Sequence, residues 1–297
     1  MALGETASSR KGINDFFINL VIRCIVGFAL CLPYRIRVPI AGWVVSRIIS
    51  PIAGYSNRIR ENLKTVLPDL TKEEVERLVL EVPNNAGRTL IEIFSGKTFI
   101  KRVSNSKFSG PGLKELEKAH AENRSVVLVT GHFGNYDAPR AALITKGFNV
   151  GALYRKMNNG YFNSYYEKAI TQIGSPIFPR GRKGLSDMIR FLRSGGMGGF
   201  LIDQHMGGGE DLTFFGKSAR TALSAAELAL KYDALVIPIY GVRLSNGLDF
   251  DIVCESPIKH STPEQMTQEL NDSLEKIVRL NMAQWFWIHR RWKPERE

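Results

Sequence analysis

The stretch that most constrains the fold runs from Ser125 to Asp137 and combines a buried strand with a sharp turn. Its first half, Val126 to Val129, is β-branched and aliphatic, which predicts a buried strand. Gly131 and Gly134 then permit a tight turn, and apolar residues at helical spacing follow from Ala138. Open α/β sheets bind ligands where strands end and helices begin, so this turn is the first candidate for a functional site.

One histidine and one carboxylate stand in this turn. His132 follows the strand directly, and Asp137 comes five residues later, within reach of the imidazole. A carboxylate on one ring nitrogen fixes the tautomer and supports the charge that the other nitrogen gains as a base. The pattern therefore predicts a general base with no serine or cysteine nucleophile beside it. It is also consistent with a histidine that satisfies a backbone group in a tight turn.

Composition restricts the partners. The chain has 297 residues, 44% of them hydrophobic, which is enough for one α/β core with a helical appendage. Its net charge of +11 favours an anionic partner such as nucleic acid, an anionic membrane or an acidic protein. The sequence has no zinc-finger, RNP-like or basic-zipper pattern, which argues against nucleic acid.

Disulfide and metal chemistry find little support in the sequence. The three cysteines form no CxxC pair, which predicts a reducing compartment. Asp203, His205 and Glu210 stand close together, but their spacing fits no common ligand set. We therefore predict no metal site.

The N-terminal part contains two interrupted apolar segments. The first, Ile13 to Leu32, carries Arg23, and the second, Val38 to Tyr55, carries Arg47. An arginine near the centre of a spanning helix costs about 2.5–3.5 kcal/mol. We therefore predict helices that lie in the membrane interface. A pair of buried helices and a single span of residues 13–32 are the alternatives.

Helical patterns continue to about Ile93. Thr71 and Glu74 form a capping box at the start of one helix, which Pro83 is expected to kink or split. The predicted division is a helical, membrane-associating region over residues 1–105 and an α/β domain over residues 106–297. A further strand, Phe250 to Cys254, is predicted at an edge of the sheet.

Later predicted strands also end in polar residues. Arg155 follows one strand, Arg180 and Arg182 lie in a glycine-containing loop that opens a helix, and Asp203 and Gln204 follow another strand. Cations at strand ends and helix starts suit a phosphate, a carboxylate or a pantetheine tail. The same residues are also consistent with solvated loops.

Residues 132 to 137, His-Phe-Gly-Asn-Tyr-Asp, resemble the His-x4-Asp/Glu signature of the glycerolipid acyltransferases. They are similar in particular to the branch that contains the late acyltransferases of lipid A biosynthesis and the mycobacterial mannoside acyltransferases. Other blocks match in the same order: residues 60–68, residues 213–216 and residues 284–293. The signature here ends in Tyr-Asp, where many members have Trp-Glu.

The resemblance implies an α/β fold with a central mixed sheet flanked by helices, and N-terminal helices associated with the membrane. It implies that His132 is the general base on an acceptor hydroxyl and that Asp137 orients it. The hydroxyl oxygen then attacks an acyl thioester of acyl carrier protein or coenzyme A, and no cofactor takes part. The implied location is the cytoplasmic face of the bacterial inner membrane, peripheral or monotopic.

Residues and resemblance together give a set of predicted substrate-binding residues. They are Asn135, Arg155, Lys168, Arg180, Arg182, Asp203 and Gln204. The Phe-Phe-Gly block at 214–216 is expected to form either an aromatic wall for an acyl chain or plain core. The closing block at 284–293 is expected either at the level of the lipid headgroups or in a packed C-terminal helix.

The predicted function is O-acylation of a membrane lipid precursor, on a hydroxyl such as the 3-hydroxyl of a hydroxyacyl chain. The acceptor is expected to be a lipid A intermediate or a lyso-aminolipid. Two other classes stay open on the sequence: a lipid or thioester hydrolase that uses the same histidine, and a non-catalytic protein that binds the membrane surface.

Overall fold

The computed structural model describes residues 11–293. The strands are β1 (Lys107–Ser109), β2 (Val126–Thr130), β3 (Val150–Tyr154), β4 (Ile177–Pro179), β5 (Met197–Leu201), β6 (Glu210–Phe214), β7 (Lys217–Thr221), β8 (Leu235–Arg243) and β9 (Phe250–Cys254). The helices are α1 (Ile13–Cys31), α2 (Tyr34–Val44), α3 (Ser50–Ile52), α4 (Tyr55–Val66), α5 (Lys72–Phe94), α6 (Lys97–Val103), α7 (Leu113–Ala121), α8 (Ala138–Thr145), α9 (Gly160–Ile173), α10 (Arg182–Arg193), α11 (Ser224–Lys231) and α12 (Pro263–Leu280). A π-helical turn at Val45–Ile49 joins α2 to α3.

Seven strands form one sheet in the order β1-β9-β8-β2-β5-β3-β4. All neighbouring pairs are parallel except β8 and β9, so the sheet is mixed and the predicted fold class is confirmed. Strand β2 has a neighbour on each side, and all five of its residues are buried. This explains its unbroken apolar run, which is typical of a strand covered on both faces.

One local prediction was wrong and a second was wrong in part. The segment at Phe250–Cys254 is not an edge strand, because the three-residue β1 pairs with its outer side. Helix α5 is not split at Pro83, whose missing N–H removes one hydrogen bond, and a kink there stays a prediction. Val79 and Val82 are buried on the same helix, and this packing compensates for the lost bond. The capping box of α5 is confirmed, with Glu74 N donating to Thr71 Oγ1 over 3.2 Å.

The N-terminal helices share a core with the sheet domain. The last of them, α6, ends at Val103, before β1 begins at Lys107. Ile59 and Leu63 of α4 are fully buried in the same apolar cluster as Phe133, which follows β2. The division into residues 1–105 and 106–297 stays a prediction, but it does not separate two cores.

Within the described residues, α1 is the one unbroken helix long and apolar enough to cross a membrane. Only 11% of its apolar window is buried, and Phe17, Ile25 and Phe28 are more than half exposed. Residues Tyr34–Ile52 and Tyr55–Val66 form a second apolar pair bent by 85°. Because α1 is mostly exposed, it is not one of a pair of buried helices, which was one of the alternatives predicted from the sequence. Whether α1 lies on a membrane or spans it stays a prediction.

The closing block packs inside the protein. Trp285 and Trp287 are fully buried and contact Phe215 of the Phe-Phe-Gly block. A single 3₁₀ turn at Met282–Gln284 precedes them, and no α-helix is present over residues 284–293. Trp285 and Trp287 therefore lie neither at the level of the lipid headgroups nor in a C-terminal helix, so both expectations were wrong for them. The Phe-Phe-Gly block forms core, which was one of the two outcomes expected for it.

Candidate active site

His132 is fixed at the end of β2 by bonds to both of its backbone groups. Its N–H donates to Asp203 Oδ2 over 2.7 Å, and its carbonyl accepts from Phe286 N over 2.9 Å. The side chain is 24% exposed, so the imidazole has one face open while its backbone is held. The strand-end turn predicted from the sequence is confirmed.

The carboxylate that contacts this imidazole is Asp203. Asp203 Oδ1 lies 2.8 Å from His132 Nδ1, and its Oδ2 also accepts from Trp285 Nε1 over 2.9 Å. The two residues meet because β2 and β5 are parallel neighbours, with Thr130 opposite Leu201. Strand ends that lie far apart in the sequence are thereby brought to one edge of the sheet.

The environment of Asp203 keeps its carboxylate ionised. Burial alone would raise its pKa, but the charge and hydrogen bonds of His132 outweigh burial and lower the pKa well below the ordinary value. An ionised carboxylate only accepts hydrogen bonds, so His132 carries a hydrogen on Nδ1. The lone pair of neutral His132 therefore lies on Nε2, the nitrogen that a general base uses.

The predicted contact between Asp137 and His132 was wrong. Arg140, three residues along in the first turn of α8, donates to both oxygens of Asp137, from Nε over 2.6 Å and from Nη2 over 2.9 Å. Both side chains are less than 10% exposed, and Arg140 also donates to the carbonyls of Ile170 and Gly174. This bidentate pair occupies both oxygens of the Asp137 carboxylate.

Asn135 lies outside the lining of the cavity beside His132 and has a structural role, so its role as a substrate ligand stays a prediction. It is fully buried, donates to Glu92 Oε2 over 2.9 Å and accepts from Asp137 N over 3.0 Å. Glu92 is paired in turn with the buried Arg243. These bonds fix the buried Asn135 side chain and hold the turn that carries His132.

The turn needs glycine at position 134. Gly134 has a φ of 54°, and a Cβ there would come within 1.9 Å of the Gly241 carbonyl oxygen. Its own carbonyl accepts from Thr89 Oγ1 and Asn85 Nδ2 of α5. The N-terminal region therefore holds the turn that carries His132 directly.

A cavity of about 510 Å³ opens beside His132. Of the predicted site residues, His132, Arg155, Arg180 and Gln204 line it. Lys168 and Arg182 do not, so their roles in binding substrate stay predictions without support from this cavity. Lys168 is exposed on the outer side of α9, and Arg182 is exposed at the first position of α10.

The cavity is lined by cations, by the carboxylates of Glu210 and Glu227, and by apolar side chains. Arg155 and Arg180 come from adjacent strand ends, because Arg180 N donates to the Tyr154 carbonyl over 2.7 Å. Burial, and then the charge of Arg155, lower the pKa of Arg180, which is the environment of a cation that gains from a bound anion. Apolar lining residues are Leu153, Met157, Phe200, Leu201, Ile202, Met206, Ala222, Leu223 and Ala225. The lining suits a ligand with an anionic group and an alkyl chain.

Residues 9–294 match the family of bacterial lipid A biosynthesis acyltransferases. The chain belongs to this family. It is 22% identical over 260 residues to a lipid A biosynthesis acyltransferase of Haemophilus influenzae, covering 86% of this chain and 81% of that protein. It is 24% identical over 239 residues to the lipid A biosynthesis palmitoleoyltransferase of Escherichia coli, covering 79% and 77%. The lauroyltransferase of the same organism is 21% identical over 247 residues, covering 80% and 79%.

Family membership confirms the resemblance drawn from the sequence. It also identifies this protein as an acyltransferase. The solved structure of the 1-acyl-sn-glycerophosphate acyltransferase PlsC from Thermotoga maritima aligns with 90% of this chain and 99% of that chain. The TM-score is 0.35 and the identity is 12%.

Sequence reasoning missed one residue that lies beside His132 in this candidate site, His289. Its Nε2 lies 3.1 Å from Gln204 Nε2, and its ring centroid is 4.9 Å from that of His132. The aromatic residues around it suggested a surface block, and no spacing signal connects position 289 with position 132. Within residues 11–293, no group of three or more histidines, cysteines or carboxylates is arranged to hold a metal.

Proposed function

We propose that this protein transfers a fatty acyl group from a thioester to a hydroxyl of a membrane lipid precursor, with His132 as the general base. The observation that carries the proposal is the contact of His132 Nδ1 with the buried, ionised Asp203. This contact leaves the lone pair on Nε2, beside a cavity with apolar walls and two arginines. Asp203 takes the role that the sequence suggested for Asp137.

The reaction follows from these groups. His132 Nε2 accepts the proton of the acceptor hydroxyl as its oxygen bonds to the thioester carbonyl carbon. The carbon–sulfur bond then breaks, and the imidazolium returns the proton to the leaving thiolate. Asp203 stabilises the imidazolium while it exists. No covalent acyl-enzyme forms, so no serine or cysteine is needed.

The donor is a thioester of acyl carrier protein or coenzyme A. Both carry a phosphopantetheine arm, whose phosphate matches the positive charge of Arg155 and Arg180. An acidic carrier protein is also attracted by the net charge of +11. The apolar lining receives the acyl chain.

The acceptor is a hydroxyl such as the 3-hydroxyl of a hydroxyacyl chain, on a lipid A intermediate or a lyso-aminolipid. The names of the relatives support lipid A. The protein works at the cytoplasmic face of the bacterial inner membrane, peripheral or monotopic. The exposed apolar side chains of α1, together with Trp43 of α2, support attachment through the N-terminal helices.

Mass spectrometry of lipid extracts tests this proposal. Cells without the gene are compared with cells that express the wild-type protein or His132→Ala. We expect one lipid to lose an acyl chain and its hydroxy precursor to accumulate in the deletion strain and with His132→Ala. Unchanged lipids would favour a thioester hydrolase, and restoration by His132→Ala would favour a non-catalytic membrane-binding role.

A further inference from the structure

Gln204 lies against the base although the proton transfer does not use it. Its Nε2 is 3.1 Å from His289 Nε2 and 3.5 Å from His132 Nε2. An amide nitrogen only donates hydrogen bonds and carries two hydrogens. With the Nδ1 hydrogen of His132 directed to Asp203, its Nε2 is an acceptor. Gln204 therefore covers the lone pair that must take the proton of a substrate.

The two contacts differ in strength. A separation of 3.1 Å is an ordinary hydrogen bond, whereas 3.5 Å is long and weak. His289 thus holds Gln204 in place, and the contact of Gln204 with His132 is the one that gives way. His289 is itself held, because its carbonyl accepts from Asn62 Nδ2 over 2.7 Å and its ring packs edge-on against Phe286.

The protonation of His289 agrees with this role. Burial, and then the charge of His132 when that ring is protonated, lower its pKa to about 4, and burial acts in either state of His132. At neutral pH its imidazole is therefore uncharged and accepts the Gln204 hydrogen. Arg58 and Arg291 also lower this pKa and Asp203 raises it, so every charged neighbour that acts on His289 except Asp203 favours the neutral ring.

We propose that the His289–Gln204 pair caps His132 and suppresses hydrolysis of the acyl thioester until an acceptor alcohol binds. The alcohol belongs to a lipid whose remaining contacts supply binding energy to displace the amide. A water molecule has no such contacts and gains only its own hydrogen bond. The inference rests on the proposed function, because it requires His132 to be the base.

Acyl transfer and thioester hydrolysis proceed through the same bond changes and the same proton transfer. In each, His132 Nε2 takes a proton from an oxygen nucleophile, a carbon–oxygen bond forms and the carbon–sulfur bond breaks. The proton then passes to the thiolate. Only the nucleophile differs, so the ratio of the two rates reports on the cap and not on the chemistry that both reactions share.

The test uses the purified full chain with Gln204→Met, which keeps the size and removes the donor, and His289→Phe, which keeps the ring and removes the anchor. The control is Gln265→Met, at an exposed glutamine on α12. The donors are the dodecanoyl thioesters of coenzyme A and of acyl carrier protein, and the acceptor is the lipid extract of cells that lack the gene. Free dodecanoic acid and dodecanoyl lipid are quantified together.

We expect the ratio of hydrolysis to transfer to rise about fivefold in both variants, the scale of one net hydrogen bond, and to stay unchanged in the control. A structural lesion would lower both rates together and leave the ratio unchanged. If Gln204→Met does not fold, Gln204→Asn, which is too short to reach both rings, replaces it. An unchanged ratio in the folded variants would overturn the cap.

His132→Ala separates this inference from the function beneath it. Loss of both reactions in His132→Ala with an unchanged ratio in Gln204→Met would reject the cap alone. Retention of both reactions in folded His132→Ala would reject the proposed function as well.

Discussion

Two buried aspartates near the turn that carries His132 have different partners. Asp203, at the end of β5, contacts the His132 imidazole, while Asp137, at the start of α8, is paired with Arg140. The first pair joins a carboxylate to an imidazole, a group that can take up and release a proton, whereas the second joins a carboxylate to a guanidinium, which cannot. Asp203 is therefore suited to stabilise an imidazolium on His132, and Asp137 to hold the turn and helix in place.

The largest expected effect concerns Asp137. Asp137→Ala leaves Arg140 buried without its carboxylate, which should lower the free energy of unfolding by about 3–5 kcal/mol. Urea denaturation measures this. Asp187 and Arg190 are a matched control, because they have the same spacing on α10 and Arg190 is 74% exposed. Asp187→Ala should change stability by less than about 1 kcal/mol. Equal effects at both sites would contradict a structural role for the buried pair.

The comparison becomes sharper when both members of the structural pair are removed. Asp137→Ala combined with Arg140→Met should be more stable than Asp137→Ala alone by about 1–4 kcal/mol, because no uncompensated buried charge remains. Denaturation of the two variants under the same conditions tests this. A double variant no more stable than the single one would show that Arg140 is held mainly by the carbonyls of Ile170 and Gly174.

On the catalytic side, His132→Ala should lower the rate of acyl transfer by at least about a hundredfold. His260→Ala is the control, since His260 lies outside the cavity lining and is bonded to the Ala234 carbonyl. The rate of lipid acylation, normalised to folded protein, is the measurement. A folded His132→Ala variant with near wild-type rates would remove the base from the mechanism.

The smallest expected effect is a pH dependence from His289. Its pKa falls from 6.5 to about 4 on folding, so the unfolded chain takes up the proton first as the pH is lowered. Stability from the neutral ring is present above pH 6.5 and is lost as the pH falls towards 4, by about 1 kcal/mol at pH 5.5. Asp203 does not contribute there, because its stabilisation is lost only at lower pH. His289→Phe should reduce the change in the free energy of unfolding between pH 7 and 5. An unchanged slope would show that another group causes the pH dependence.

The same contrast explains what could be predicted from the sequence. The Val126–Thr130 strand, its glycine turn and the position of His132 depend on local residue preferences, and all were predictable. The partner of His132 depends on which strand lies beside β2, and local pattern does not give strand order. Asp137 was expected as the partner because it is near in the sequence, while Asp203 is near in space.

His289 and the closing block at 284–293 show a second limit of prediction from the sequence, which is that composition does not give the position of a segment in the fold. A tryptophan-rich, basic segment has the composition of a membrane surface, yet Trp285 and Trp287 are fully buried and Phe286 N is bonded to the His132 carbonyl. Composition does not reveal that the end of a chain returns to a turn some 150 residues earlier. The site residues missed or misassigned from the sequence are those placed by such long-range contacts.

The most direct test of the central claim compares Asp203→Asn with Asp137→Asn in single-turnover acyl transfer, at equal concentrations of folded protein. Asp203→Asn removes the charge that supports the imidazolium and should slow transfer by about a hundredfold. Asp137→Asn should leave the rate per folded molecule within about threefold, because Asp137 does not contact the imidazole. A large loss with Asp137→Asn and a normal rate with Asp203→Asn would contradict the assignment and return the orienting role to Asp137.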